Sequence, residues 1–163
     1  MINDKQIDSF IRRLQKAVPV DITAIAKVLG LEVYESDLPE GIAGKIFRDQ
    51  KHGGTSEYSI IVRSADPYVR KRFTVAHEIA HYLLHRHLFG AKSLVDDAMY
   101  RSDLSGKREA EANGVAADLL MPWHLLQPIA NLPLEELAKK FEVSVEAMRI
   151  RMETIGKRTV AVS

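Results

Sequence analysis

The chain contains no cysteine. That excludes a disulfide framework and a thiolate-bound metal, so any metal would be held by imidazole and carboxylate. It also lacks an apolar run of about 18 residues, the minimum for a membrane-spanning helix. Neither charge is in excess: 23 Lys and Arg against 22 Asp and Glu give a formal net charge of +1. Nothing global therefore points to nucleic acid or to a membrane surface. The opening stretch, Met1-Ile2-Asn3-Asp4-Lys5, is polar and begins an amphipathic segment, so no signal peptide is expected there. Repeats and low-complexity linkers are absent too. Together these absences suggest a cytoplasmic protein.

What is present is 163 residues, of which 46% are hydrophobic. That supports one domain with a proper core and a small appendage at most. Apolar spacing predicts a helix over 4–17 with Ile7, Phe10, Ile11, Leu14 and Val18 on one face. Pro19 breaks it. Asp21 caps a short helix through Val28, closed by Gly30. Strands are expected at Leu31–Tyr34, Ala43–Phe47 and Tyr58–Arg63. The last two form an antiparallel hairpin across the polar loop Asp49–Ser56. A helix over about 67–88 follows, with Asp66 as N-cap, Pro67 at its first position and Gly90 as its stop. Residues 91–104 show no period and read as a loop. Helices then recur at Lys107–Leu120, Pro122–Ile129, Pro133–Phe141 and, capped by Ser144, up to Ile155. The pattern is α+β, a small antiparallel sheet of about three strands packed with helices.

Within the 67–88 helix stands His77-Glu78-Ile79-Ala80-His81, an H-E-x-x-H motif. Residues four apart share a helix face, so both imidazoles can reach one metal ion, and Glu78 can handle a proton of water at that ion. The motif is short enough to recur by chance as two solvated histidines. Its context argues otherwise, because Val69, Phe73, Ala76, Ala80, Leu83 and Leu84 recur around it at helical spacing.

A catalytic zinc takes three protein ligands and keeps one position open. His85 lies about 12 Å along the axis from His77, too far to share the ion. His85 and His87 therefore read as exposed residues or as supports of the ligands. His52, His124, Asp96 and Asp97 have no spacing in their favour. Glu109 and Glu111 lie on the next strong helix and remain the two alternatives. Glu109 shares a face with Asn113, Ala116 and Leu120, a face suited to packing. Asn113 would then hydrogen-bond a ligand. Glu111 lies about 200° around the helix and reads as solvated, paired with Lys107. The helical period favours Glu109. Two histidines and a carboxylate also suit non-haem iron, but H-E-x-x-H on one helix favours Zn2+.

With these residues in hand, the chain resembles the ImmA/IrrE family of metallo-endopeptidases, a compact gluzincin-like group. Arg72-Phe73-Thr74-Val75-Ala76 leads into the His77–His81 motif and on to Tyr82-Leu83-Leu84-His85. Glu109-Ala110-Glu111-Ala112-Asn113 then leads to Ala116-Ala117-Asp118-Leu119-Leu120-Met121-Pro122, in the family's order. The likeness spans about residues 15–155. One departure is Val115, where the family usually has an aromatic. The expected organisation is a zincin-like peptidase domain over 1–130, with helix-turn-helix-like helices over 131–163 packed on it. The resemblance implies His77, His81 and Glu109 as metal ligands and Glu78 as general base. The implied substrate is a protein, a helix-turn-helix transcriptional repressor of a prophage, mobile element or stress response.

Other readings stay open. The oxyanion has Tyr82 and Tyr100 as candidates, both also readable as packing residues. Strand Tyr58–Arg63 could serve as an edge to which an extended peptide adds. The chain could be a toxin-like or regulatory component of a two-gene system, held by a partner antitoxin or repressor. It could also be a metal-stabilised domain without activity, although a structural site needs no base such as Glu78. Pro133–Phe141 followed by Ser144–Ile155 could bind DNA, but Glu146 near the phosphates and a modest basic excess favour packing or partner docking.

Overall fold

The structure, a computed structural model, describes residues 4–86 and 103–162. The expected features at His87, Gly90, Asp96, Asp97 and Tyr100 lie outside the described residues. Among those described, seven α-helices and three strands follow one another: α1 Asp4–Leu14, α2 Ile22–Val28, β1 Glu32–Ser36, β2 Gly44–Arg48, β3 Tyr58–Arg63, α3 Tyr68–His85, α4 Asp103–Leu120, α5 Trp123–Leu126, α6 Leu134–Phe141 and α7 Val145–Val162. The class is α+β, as the pattern predicts. No described helix is long and apolar enough to cross a membrane.

Local chemistry explains most boundaries. The Asp21 carboxylate accepts from the Ala24 amide at 3.0 Å and caps α2. Gly30 takes a φ of 78°, a left-handed value suited to glycine. Leu31 can then donate back to the Ala26 carbonyl at 2.9 Å, closing the helix. Ser144 caps α7 by accepting from the Ala147 amide at 3.0 Å. α3 starts one residue later than expected, because Pro67 itself is the last non-helical residue. The Asp66 carboxylate binds the Arg63 and Arg70 guanidiniums instead of an amide. α4 begins at Asp103, ahead of Lys107. α7 runs through Gly156 to Val162.

The sheet is mixed rather than wholly antiparallel. Its order is β1-β3-β2, with β2 antiparallel to β3 and β1 parallel to it. The chain reverses between β1 and β2 and again between β2 and β3, so β1 and β3 point the same way. β3 thereby becomes the central strand. Its backbone is paired on both sides, which removes it as an edge for an added peptide; among the described residues β1 and β2 are the edges. Centrality also explains Ser59, fully buried despite its hydroxyl, which donates to Asp49 at 2.9 Å.

One core joins the layers. Ile25, Ile46, Ile60, Ile79, Leu120, Leu137, Phe141 and Met148 are all fully buried within it. Arg72 ties α3 to both flanks. Its guanidinium donates to the carbonyls of Val20 at 2.9 Å, Glu142 at 3.1 Å and Phe141 at 3.2 Å. It thus holds the start of α2 and the turn between α6 and α7 against α3. Removing it leaves the buried Val20 and Phe141 carbonyls without this donor. Arg72→Ala should cost about 3 kcal/mol and lower the melting temperature by roughly 10 °C. An unchanged thermal melt would contradict this assignment.

Candidate metal centre

The site is built where α3 crosses α4. Ala76 and Ala80 on α3 and Ala112 and Ala116 on α4 are all fully buried, so the two backbones can approach closely. His77 faces Asn113 and His81 faces Glu109, which runs the helices in opposite directions. Glu109 spans the two imidazoles. Its Oε1 lies 2.8 Å from His81 Nε2 and its Oε2 lies 3.0 Å from His77 Nε2. The two Nε2 atoms are 3.1 Å apart, and the rings meet edge to face at 86°.

These atoms fit a small divalent ion. Zinc holds nitrogen and oxygen ligands at about 2.0–2.2 Å, and a tetrahedral arrangement then separates ligand atoms by roughly 3.3 Å. The observed separations of 2.8, 3.0 and 3.1 Å come within about half an ångström of that edge. His77, His81 and Glu109 are the one such group among the described residues, with ligand atoms within 4.8 Å of one another. The donor set, two imidazoles and one carboxylate, is that of a catalytic rather than a structural zinc site.

The outer ring nitrogens are held as well. His77 Nδ1 lies 2.8 Å from Asn113 Oδ1. His81 Nδ1 lies 3.0 Å from His85 Nδ1, and His85 Nε2 lies 3.3 Å from Glu111 Oε2. His85 is buried, whereas the Glu111 side chain is half exposed. The helical period separates Glu109 from Glu111 as expected, but Glu111 meets His85 and is not merely solvated. Of the two alternatives for His85, exposed or a support of the ligands, the structure has it buried against His81.

Glu78 is 6% exposed. Burial raises its carboxyl above the usual range, and the neighbouring Glu109 charge adds to this; His77 and His81 oppose them. No described residue donates a hydrogen bond to it. A buried carboxylate beside two imidazoles, without a donor among the described residues, is well suited to taking up a proton.

Other predicted residues lie elsewhere. His124 Nε2 meets the Gln15 carbonyl at 2.8 Å, and His52 sits in the β2–β3 loop, its amide donating to Asp49 at 3.0 Å. Tyr82 packs its ring against Tyr58 at 5.6 Å and under Arg86.

In the metal-free protein His77 titrates above its usual value. Burial pulls it down, but the Glu109 hydrogen bond, the Glu78 and Glu109 charges and Asn113 outweigh it. Hydrogen bonds from His77 and His81 hold Glu109 far below the usual carboxylate range, against its desolvation. A raised histidine stabilises the fold below its unfolded pKa of about 6.5 and loses that contribution as pH rises through the folded value. A depressed glutamate stabilises above about 4.3 and loses its contribution as pH falls. With chelator present, the melting temperature of the wild type should therefore exceed that of Glu109→Gln most between about pH 5 and 6.5, and the excess should shrink above about pH 7. An excess that grows above neutrality would contradict this charge pairing.

A family model described as Peptidase_M78, IrrE N-terminal-like domain, matches residues 26–153. No curated protein matches the chain. Among solved structures, a Mycobacterium tuberculosis transcriptional regulator is similar, with a TM-score of 0.58 and 16% sequence identity. The match covers 90% of this chain and 46% of that one, so the chain spans less than half the regulator's length. At that identity the likeness is one of fold.

Proposed function

The chain belongs to the Peptidase_M78 family of IrrE N-terminal-like domains, and on that premise we propose that it is a zinc-dependent endopeptidase that cuts a helix-turn-helix transcriptional repressor. The observation that carries the reading is the convergence of His77, His81 and Glu109 on one point, with buried Glu78 beside it. His77 and His81 would hold the ion through Nε2, and Glu109 through its carboxylate. When bound, zinc supplies a Lewis acid that acidifies water and polarises a peptide carbonyl.

The remaining work falls to the protein. Glu78, already inclined to hold a proton by its burial, takes one from the attacking water and delivers it to the leaving amine. Asn113 fixes the orientation of His77. An extended substrate would lie along the free edge of β2. Support comes from Gly44, where a Cβ would fall 2.5 Å from Thr74 Cγ2 on α3, one turn before His77. β2 therefore sits directly against the helix that carries the motif.

The division into a peptidase domain over 1–130 and docked helices over 131–163 belongs to the same proposal. Leu137, Phe141 and Met148 bury their side chains in the common core, which favours docking over an independent module. DNA binding is the weaker reading of these helices. Arg149 is engaged by Glu146 and Glu153, both at 2.6 Å. Arg151 is buried against Asp118 and the Met121 carbonyl. Two of the segment's cations are thus already committed. A cytoplasmic location accords with a repressor substrate and with the lack of cysteine.

The test combines metal content with cleavage of the repressor encoded nearest to this chain's gene. Wild type and Glu78→Gln should each carry about one zinc, and Glu109→Gln should lose it. Wild type should yield discrete repressor fragments, while Glu78→Gln should be slower by about 100-fold or more. Undiminished cleavage by Glu78→Gln, or zinc retained in Glu109→Gln, would overturn the assignment.

A further inference from the structure

The hydrogen-bonded chain does not stop at the proposed ligands. His81 carries two ring nitrogens with different tasks. Nε2 faces Glu109 and His77, and Nδ1 faces His85 at 3.0 Å. A neutral imidazole has one donor and one acceptor nitrogen. To offer a bare Nε2 to a metal, His81 must carry its proton on Nδ1, so the group opposite must accept. His85 can accept through its own Nδ1 only if its proton is on Nε2. That nitrogen lies 3.3 Å from the Glu111 carboxylate, an obligate acceptor when ionised. With a metal in place of the Nε2 proton that Glu109 otherwise accepts, the polarity of the chain is therefore fixed from its outer end.

We propose that His85 and Glu111 are positioning residues of the metal centre: in the metal-loaded protein Glu111 accepts from His85 Nε2–H, His85 Nδ1 accepts from His81 Nδ1–H, and His81 thereby presents an unprotonated Nε2 to the ion. The proposal rests on the metal-site reading above and extends it to two residues that touch neither ion nor substrate. His85 is 4% exposed, so no water replaces it easily as an acceptor. Glu111 is the wetter end, so its loss is partly compensated by solvent. His77 has its own support in Asn113, on the other side of the site. Each ligating histidine thus has a separate partner for its outer nitrogen.

The measurement is zinc affinity by competition with a chromophoric chelator, with thermal melts in excess chelator to report the fold alone. His85→Leu keeps apolar bulk but cannot accept a hydrogen bond. It should weaken zinc binding by roughly 10- to 100-fold. His85→Asn places an acceptor where Nδ1 stood and should recover most of that loss. Glu111→Ala, on the exposed side, should give a smaller loss in the same direction. Should His85→Leu fail to fold, the imidazole 15N resonances of the zinc-loaded wild type decide. A proton on His81 Nδ1 and on His85 Nε2 supports the proposal, and a proton on His85 Nδ1 overturns it. His85→Leu binding zinc as tightly as wild type, or His85→Asn binding no better than His85→Leu, overturns it too. A wild type that binds no zinc removes the parent reading, an outcome distinct from indifference to His85 in a protein that binds it.

Discussion

The close approach of α3 and α4 is the constraint on which the rest of the site depends. Four fully buried alanines, Ala76, Ala80, Ala112 and Ala116, leave no room between the helices for larger side chains. The polar residues beside them are then forced to meet. Three imidazoles spaced by one turn on α3 face two carboxylates and an amide on α4. A single helix could bring only the two motif histidines to one point. The third donor requires a second helix held at a fixed distance and register, and the alanines supply both.

That register is protected by interactions far from the chemistry. Arg72 hydrogen-bonds the Val20 carbonyl just before α2 and the Phe141 and Glu142 carbonyls at the end of α6, so α3 is tied to both. Gln15 donates to the Asp118 and Leu119 carbonyls at 3.0 and 2.9 Å and satisfies the C-terminal end of α4. Ile46, Ile60 and Ile79 are all fully buried in the same core, and Glu78 beside Ile79 is 6% exposed. Glu78 owes its raised carboxyl pKa chiefly to this burial. The packing that holds the helices also desolvates Glu78.

The legible parts of the sequence were those governed by local spacing. The meeting of His77 and His81 follows from their four-residue spacing, and the preference for Glu109 over Glu111 follows from the 100° turn per residue. Asn113 came with Glu109 because it lies one turn away. What escaped depended on partners distant in the chain. The parallel pairing of β1 with β3 joins residues 32–36 to 59–63 across the intervening hairpin. No local pattern encodes which side of β3 the first strand takes. His85 lies too far from His77 to share an ion, and that arithmetic was sound. Its contact with Glu111 requires knowing how α4 sits, which the helical period does not give.

The central claim is that His77, His81 and Glu109 converge on a single ion. The most direct measurement is anomalous scattering at the zinc absorption edge from crystals of the zinc-loaded protein. The account predicts one peak, about 2.0–2.2 Å from His77 Nε2, His81 Nε2 and a Glu109 carboxylate oxygen. No peak at that point, or a peak ligated by His85 and Glu111 instead, would contradict it.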